Sequence, residues 1–135
     1  MPVTTQFSIF LVNKPGVLAA VTSALAQAKI NIMALALADS GEHGVLRIVC
    51  NDAQATRKVL NEAHDRWTEA EVITAELDDK PGAFARIAQA LADNNVNISY
   101  AYCTSSMAGS RTMAVFKVVD LKKAEAVLAE CEKKR

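Results

Sequence analysis

Charge of one sign is what this chain most plainly lacks: fifteen basic residues balance fifteen acidic ones over 135 positions. A balanced chain has no net field with which to recruit nucleic acid or an anionic membrane, so neither is expected as a partner. The one basic run, Lys133-Lys134-Arg135, reads as the solvated end of a helix. No apolar run approaches the roughly 18 residues that a spanning helix needs, and the N-terminus lacks the basic stretch and apolar core of a signal peptide. The three cysteines, Cys50, Cys103 and Cys131, are odd in number, far apart and set among apolar residues. They predict reduced core thiols in a cytoplasmic protein rather than a disulfide framework.

Catalytic constellations are missing as well. His43 stands in a polar loop and His64 on a charged helix, and neither has Cys or His partners at metal-ligand spacing. There is no C-x-x-C pair, nucleophile elbow, paired-carboxylate site or P-loop. The expectation is a protein with no catalytic residues, no metal and no cofactor.

What is present is a repeat. Lys14-Pro15-Gly16 returns as Lys80-Pro81-Gly82, 66 residues later, and nine of the 19 positions from Lys14 to Ile32 are identical at that offset. A second block matches at offset 68, with Asp52, Val59 and Leu60 against Asp120, Val127 and Leu128; the slip falls in the polar stretch Thr104 to Ser110. Self-similarity of this kind marks two copies of one structural unit.

Each copy reads as β-α-β-β-α. Phe7, Ile9 and Leu11 alternate with Ser8, Phe10 and Val12 as a strand. Asn13-Lys14-Pro15-Gly16 breaks it, and Leu18, Val21, Leu25 and Ala28 follow at helical spacing. Asn31 to Ala38 and Val45 to Cys50 form a hairpin, with Ile32, Ala34 and Ala36 on one face and Met33, Leu35 and Leu37 on the other. Asp52 caps a second helix with Thr56, Val59, Leu60 and Ala63 inward, and Trp67 to Val72 closes the unit. The second copy repeats this order from Ile73, with Phe84, Ile87 and Leu91 inside its first helix and Ala124, Val127, Leu128 and Cys131 inside its last. The fold class is therefore α+β: two ferredoxin-like units in tandem, over residues 1–71 and 72–135, with antiparallel sheets carrying their helices on one face. The second copy runs out of residues before its last strand.

Each Pro-Gly loop leads from a strand to a helix N-terminus, where backbone N–H groups lack partners and the helix dipole is positive. Such an end accepts a carboxylate. Asn13 and Asp79 add an oxygen for an ammonium group, and Asn31 and Asn97 are expected to return beside the same loops with donor and acceptor. Leu11, Leu18, Leu77 and Phe84 are the expected walls. This combination fits a free amino acid. Turn chemistry alone explains the same residues, since Pro-Gly makes a tight turn and an Asn eases the exit from a helix; on residues alone both readings stand.

A strand, Asn-Lys-Pro-Gly-Val-Leu, an amphipathic helix and Ile-Asn-Ile resemble the ACT domain, the ligand-sensing module of amino-acid metabolism. Asp79-Lys80-Pro81-Gly82-Ala83-Phe84 with Val96-Asn97-Ile98 carries the same signature, so the resemblance covers nearly the whole chain. It implies a βαββαβ fold, pairing of domains, and a ligand at the interface held by the loop after the first strand and the Asn opening the second. Carried over by position, it implicates Asn13, Lys14, Pro15, Gly16, Val17 and Leu18 with Asn31 and Ile32, and Asp79, Lys80, Pro81, Gly82, Ala83 and Phe84 with Asn97 and Ile98. Serine-sensing members often have His where Leu11 and Leu77 stand here, which points to an apolar amino acid instead. The implied function is non-catalytic and regulatory, with a purely structural assembly module as the alternative.

Two further expectations follow. The first two strands are apolar on both faces, so a homodimer or higher oligomer is expected, burying part of the sheet's back face or the open edge of the second unit. Asp79 is anionic where Asn13 is neutral, so the second loop is expected to hold an ammonium more tightly.

Overall fold

The computed structural model describes residues 3–41, 43–63, 66–105 and 111–133. His64, Lys134, Arg135 and most of the polar stretch before Arg111 lie outside them. The elements in order are β1 (Val3–Val12), α1 (Val17–Gln27), β2 (Ile32–Ser40), β3 (His43–Cys50), α2 (Ala53–Ala63), β4 (Trp67–Asp78), α3 (Ala83–Asp93), β5 (Ile98–Ser105), β6 (Arg111–Val118) and α4 (Leu121–Lys133). The β-α-β-β-α order read from the sequence is present twice. Contacts divide the chain into a first unit, Thr5–Ala70, and a second, Met1–Thr4 with Glu71–Arg135.

In the first unit β3 lies between β2 and β1, antiparallel to both. Period-two alternation puts Phe7, Ile9 and Leu11 on the face covered by helices, where they are buried with Leu46, Ile48, Val21, Leu25 and Leu60. Phe10 and Val12 point to the other face and are exposed. The Phe7 and Trp67 rings pack 5.7 Å apart, and the Phe10 N–H donates to the Arg66 carbonyl at 3.1 Å, tying the chain that enters β4 to β1.

The second unit has β6 between β4 and β5, again antiparallel. Ile73, Ala75 and Leu77 are buried against Phe116, Ile87, Leu91 and Leu128. The two strands read separately from the sequence, Trp67 to Val72 and Ile73 to Leu77, are one uninterrupted strand, β4. No strand follows α4 among the described residues. The residues that join this unit from elsewhere in the chain include Val3 and Thr4, at the start of β1.

Strict alternation fails at the start of β2. Ile32 pairs with Cys50 and the next pair is Ala34 with Val49, a register shift that leaves Met33 as the extra residue. A bulge of this kind moves the preceding side chain to the other face. Ile32 therefore packs into the core rather than sharing a face with Ala34 and Ala36. The second unit repeats the shift between Ile98 and Tyr100, and Ile98 packs into its core. Ala28 and Ala63, expected on inner helix stripes, are exposed: Ala28 caps α1 rather than continuing it, and Ala63 is the last residue of α2.

Candidate functional site

The four helices start in two ways. At α2, Asp52 Oδ1 accepts from the Ala55 N–H at 3.0 Å; at α4, Asp120 Oδ1 accepts from the Lys123 N–H at 3.1 Å. Both are ordinary side-chain caps. At α1 and α3 the capping residues are Gly16 and Gly82, and neither helix has a side-chain cap. Their φ values are +89° and +88°, a left-handed turn that glycine enters without strain. A Cβ built on either glycine would meet nothing within 4 Å, so the space over both loops is open.

The backbone bonds leave specific donors over. Within the α1 loop Lys14 N–H donates to the Val12 carbonyl and Val17 N–H to that of Lys14, while Ala20 N–H reaches Gly16. The Leu18 and Ala19 N–H groups have no partner among the described residues. The same three bonds recur at Lys80, Ala83 and Arg86, leaving the Phe84 and Ala85 N–H groups without a partner among the described residues. Each first turn thus carries open donors at the positive end of an 11-residue helix.

A cavity adjoins each loop. The first, of about 190 Å³, is walled by Leu11, Val17, Leu18 and Leu37, with Asn13 and Asp39 at its rim. Asn13 Nδ2 donates to the Gly41 carbonyl at 3.3 Å, which braces the loop against the β2–β3 hairpin and leaves the Asn13 oxygen as an acceptor. The second cavity, about 330 Å³, is lined by Leu77, Pro81, Gly82 and Ala83 with charged Glu76, Asp78, Lys80 and Arg86. Asp79 is not part of its lining. Phe84 stacks on Phe116 at 5.4 Å and is 39% exposed.

The residues read from the sequence divide by strand direction. Asn13 to Leu18 gather at one end of the first unit, and Asp79 to Phe84 at one end of the second. Asn31, Ile32, Asn97 and Ile98 do not return to those loops within their own units. Helix α1 carries the chain about 16 Å away before β2 begins. There the Asn31 N–H donates to Asn51 Oδ1 at 3.0 Å and its carbonyl accepts from the Asn51 N–H at 3.1 Å. Asn97 occupies the equivalent place, accepting from the Val119 N–H at 3.2 Å. The side chains of both Asn31 and Asn97 are exposed. The sequence reading missed Leu37, Asp39 and Gly44, which come to the first loop because an antiparallel hairpin returns β2 and β3 to the end where β1 finishes.

Burial pushes the Cys50 and Cys103 thiols up, the former partly offset by a hydrogen bond with Thr56. Cys103 is nonetheless exposed, not the core thiol expected, because β5 is an edge strand. Among the described residues no group of His, Cys, Asp or Glu is placed to hold a metal, and no helix is long and apolar enough to cross a membrane.

Two tandem α+β units, each with an uncapped helix start beside a cavity, define the class. The family model of the ACT domain pair matches residues 1–134, and the chain belongs to that family. Among solved structures, protein BT0572 from Bacteroides thetaiotaomicron is 32% identical with a TM-score of 0.88, over 96% of this chain and 89% of that one. The ligand-free regulatory subunit of aspartate kinase from Thermus thermophilus shares the fold at 18% identity and a TM-score of 0.71, over 98% and 96% of the two chains. Aspartokinase alpha and beta subunits do so at 20% and 0.63, again over 98% and 96%. No curated protein matches the chain.

Proposed function

We propose that this ACT domain pair is a cytoplasmic, non-catalytic regulatory protein that binds a free amino acid, with residues 1–71 and 72–135 as its two ACT domains. One observation supports this reading above the others. The chain caps α2 and α4 with its own aspartates and leaves α1 and α3 open beside cavities. An amino-acid carboxylate at the free N–H groups satisfies donors that nothing else among the described residues satisfies, and apolar walls favour an apolar side chain. Asn31, Ile32, Asn97 and Ile98 enter the proposal as contacts offered by a second chain, because within a unit they lie away from the loop. A ligand that prefers one packing of paired chains shifts its population by its differential affinity, and that shift is the regulatory output. The regulatory subunit of aspartate kinase from Thermus thermophilus shares the fold and illustrates the class of role.

Self-association is supported separately. Phe10 and Val12, 42% and 48% exposed, lie on the sheet face away from the helices, and an apolar surface there is usually covered by a partner. Light scattering is expected to give a dimer or larger mass, and a monomer across micromolar concentrations contradicts it. The same surface is also what a purely structural assembly module has. Thermal unfolding against each of the twenty amino acids separates the two: a ligand at 100 times its Kd adds about 2.7 kcal/mol of stability. No shift with any amino acid would leave only the assembly module.

A further inference from the structure

The two cavities are not equivalent: the second is lined by charged residues of β4, its loop and α3, whereas the first also draws Leu37, Asp39 and Gly44 from its hairpin strands. Strand register aligns the units without reference to sequence similarity. Leu11 pairs with Gly44, and Gly44 with Asp39; in the second unit Leu77 pairs with Thr112, and Thr112 with Ser105. By the same register Leu37, opposite Leu46, corresponds to Cys103, opposite Ala114. The first unit therefore has Asp39, Gly44 and Leu37 where the second has Ser105, Thr112 and Cys103.

Each substitution changes what the first cavity can hold. Asp39 is exposed at the rim and has no hydrogen-bond or ion-pair partner among the described residues. Gly44 is buried on the cavity floor, outside the left-handed region, and a Cβ there would meet Leu37 Cδ1 at 3.5 Å and the Ala38 carbonyl oxygen at 3.4 Å. The backbone thus admits a side chain at position 44, and its absence keeps floor space beneath Leu37. Leu11, Val17, Leu18 and Leu37 then close an aliphatic wall around that space.

We propose that the first cavity is the chain's specific site for a branched aliphatic amino acid, and that Asp39, not Asp79, holds the ligand's ammonium group. This rests on the amino-acid-binding reading above and assigns it a side-chain class, an anchor and one of the two units. A carboxylate without a protein partner gains a charge-assisted bond when an ammonium arrives, roughly twice the strength of a neutral one.

The test is calorimetric titration of the full chain with leucine and with 4-methylpentanoate, which has the same carboxylate and side chain but no ammonium. Wild type is expected to prefer leucine by about tenfold or more, as loss of one charged hydrogen bond implies. Asp39→Asn is expected to erase that preference by weakening leucine while binding 4-methylpentanoate no more weakly. Gly44→Ala is expected to weaken leucine severalfold with its circular dichroism unchanged, and wild-type affinity in that variant would overturn the floor assignment. An undiminished leucine preference in Asp39→Asn would overturn Asp39 as the anchor while the amino-acid reading stands. Binding of some other amino acid, but of none of leucine, isoleucine and valine, would overturn the aliphatic class alone. Binding of none of the twenty would remove the underlying reading itself.

Discussion

Helices α2 and α4 begin on aspartates that cap them; helices α1 and α3 begin on glycines that do not. All four have the same need, since the first N–H groups of any helix lack backbone partners. The chain meets that need with Asp52 and Asp120 in two places, so the means was available for the other two. Where it is not used, cavities adjoin the open donors. The difference separates helix starts that only hold the fold from starts that are available to a ligand.

The largest way to disturb this contrast is to force a side chain onto the open starts. Gly16→Val places a β-branched residue at φ +89°, with an expected loss of about 2–3 kcal/mol of stability and of amino-acid binding. Gly16→Asn tolerates the left-handed region far better, so urea denaturation is expected to show a much smaller loss. If valine costs no more than asparagine, the glycine is not there for its φ. Next in size is removal of a structural cap. Asp52→Ala is expected to cost about 1 kcal/mol in the same measurement and to leave ligand affinity at the wild-type value. A large affinity change in Asp52→Ala would erase the distinction between the two kinds of start.

Smaller again is the brace between loop and hairpin. Asn13→Ala removes the bond to the Gly41 carbonyl, an exposed interaction with an expected cost of about 0.5 kcal/mol, and widens the first cavity's rim. Asp79→Asn is expected to affect leucine affinity less than Asp39→Asn does, because Asp79 does not line the cavity beside its own loop. The reverse order in calorimetry would restore the second loop as the tighter site.

The smallest effect concerns what supports the capped helix α2. Arg57 Nε donates to Glu69 Oε2 at 2.7 Å and Nη2 donates to Oε1 at 2.9 Å. This bidentate bond lowers the Glu69 pKa below its ordinary value. A carboxyl whose folded-state pKa is depressed contributes stability at neutral pH and loses it as pH falls through that lowered value. Both groups are exposed, so screening keeps the effect small. Urea midpoints of wild type and Glu69→Gln are expected to differ slightly at pH 7 and to converge as acid protonates Glu69. A gap that persists once Glu69 is protonated would mean that packing, not the ion pair, is responsible.

Much of this was legible from the residues. The duplicated Lys-Pro-Gly, the alternation of Phe7, Ile9 and Leu11, and the helix stripes Val21–Leu25 and Ile87–Leu91 all report on local periodicity, which sequence displays directly. Asp52 was recognisable as a cap for the same reason. Three features were not legible, each for want of a third dimension. The bulges at Met33 and Ser99 depend on which strand each residue pairs with, and alternation alone predicts the wrong face for Ile32. Asn31 and Asn97 follow their helices closely in sequence, yet a helix that runs back along the sheet delivers them to the end away from the loop. Asp39 and Gly44 belong to a hairpin more than 20 residues from the loop in sequence, and only antiparallel register brings them beside Leu11.

If the open helix starts, and not the capped ones, receive an amino acid, backbone amide NMR of the 15N-labelled chain titrated with leucine will register it there. The largest shift changes are expected at the Gly16, Leu18 and Ala19 amides, with Ala55 and Lys123 unmoved. Changes centred on Ala55 or Lys123, or none at α1 while leucine binds, would contradict it.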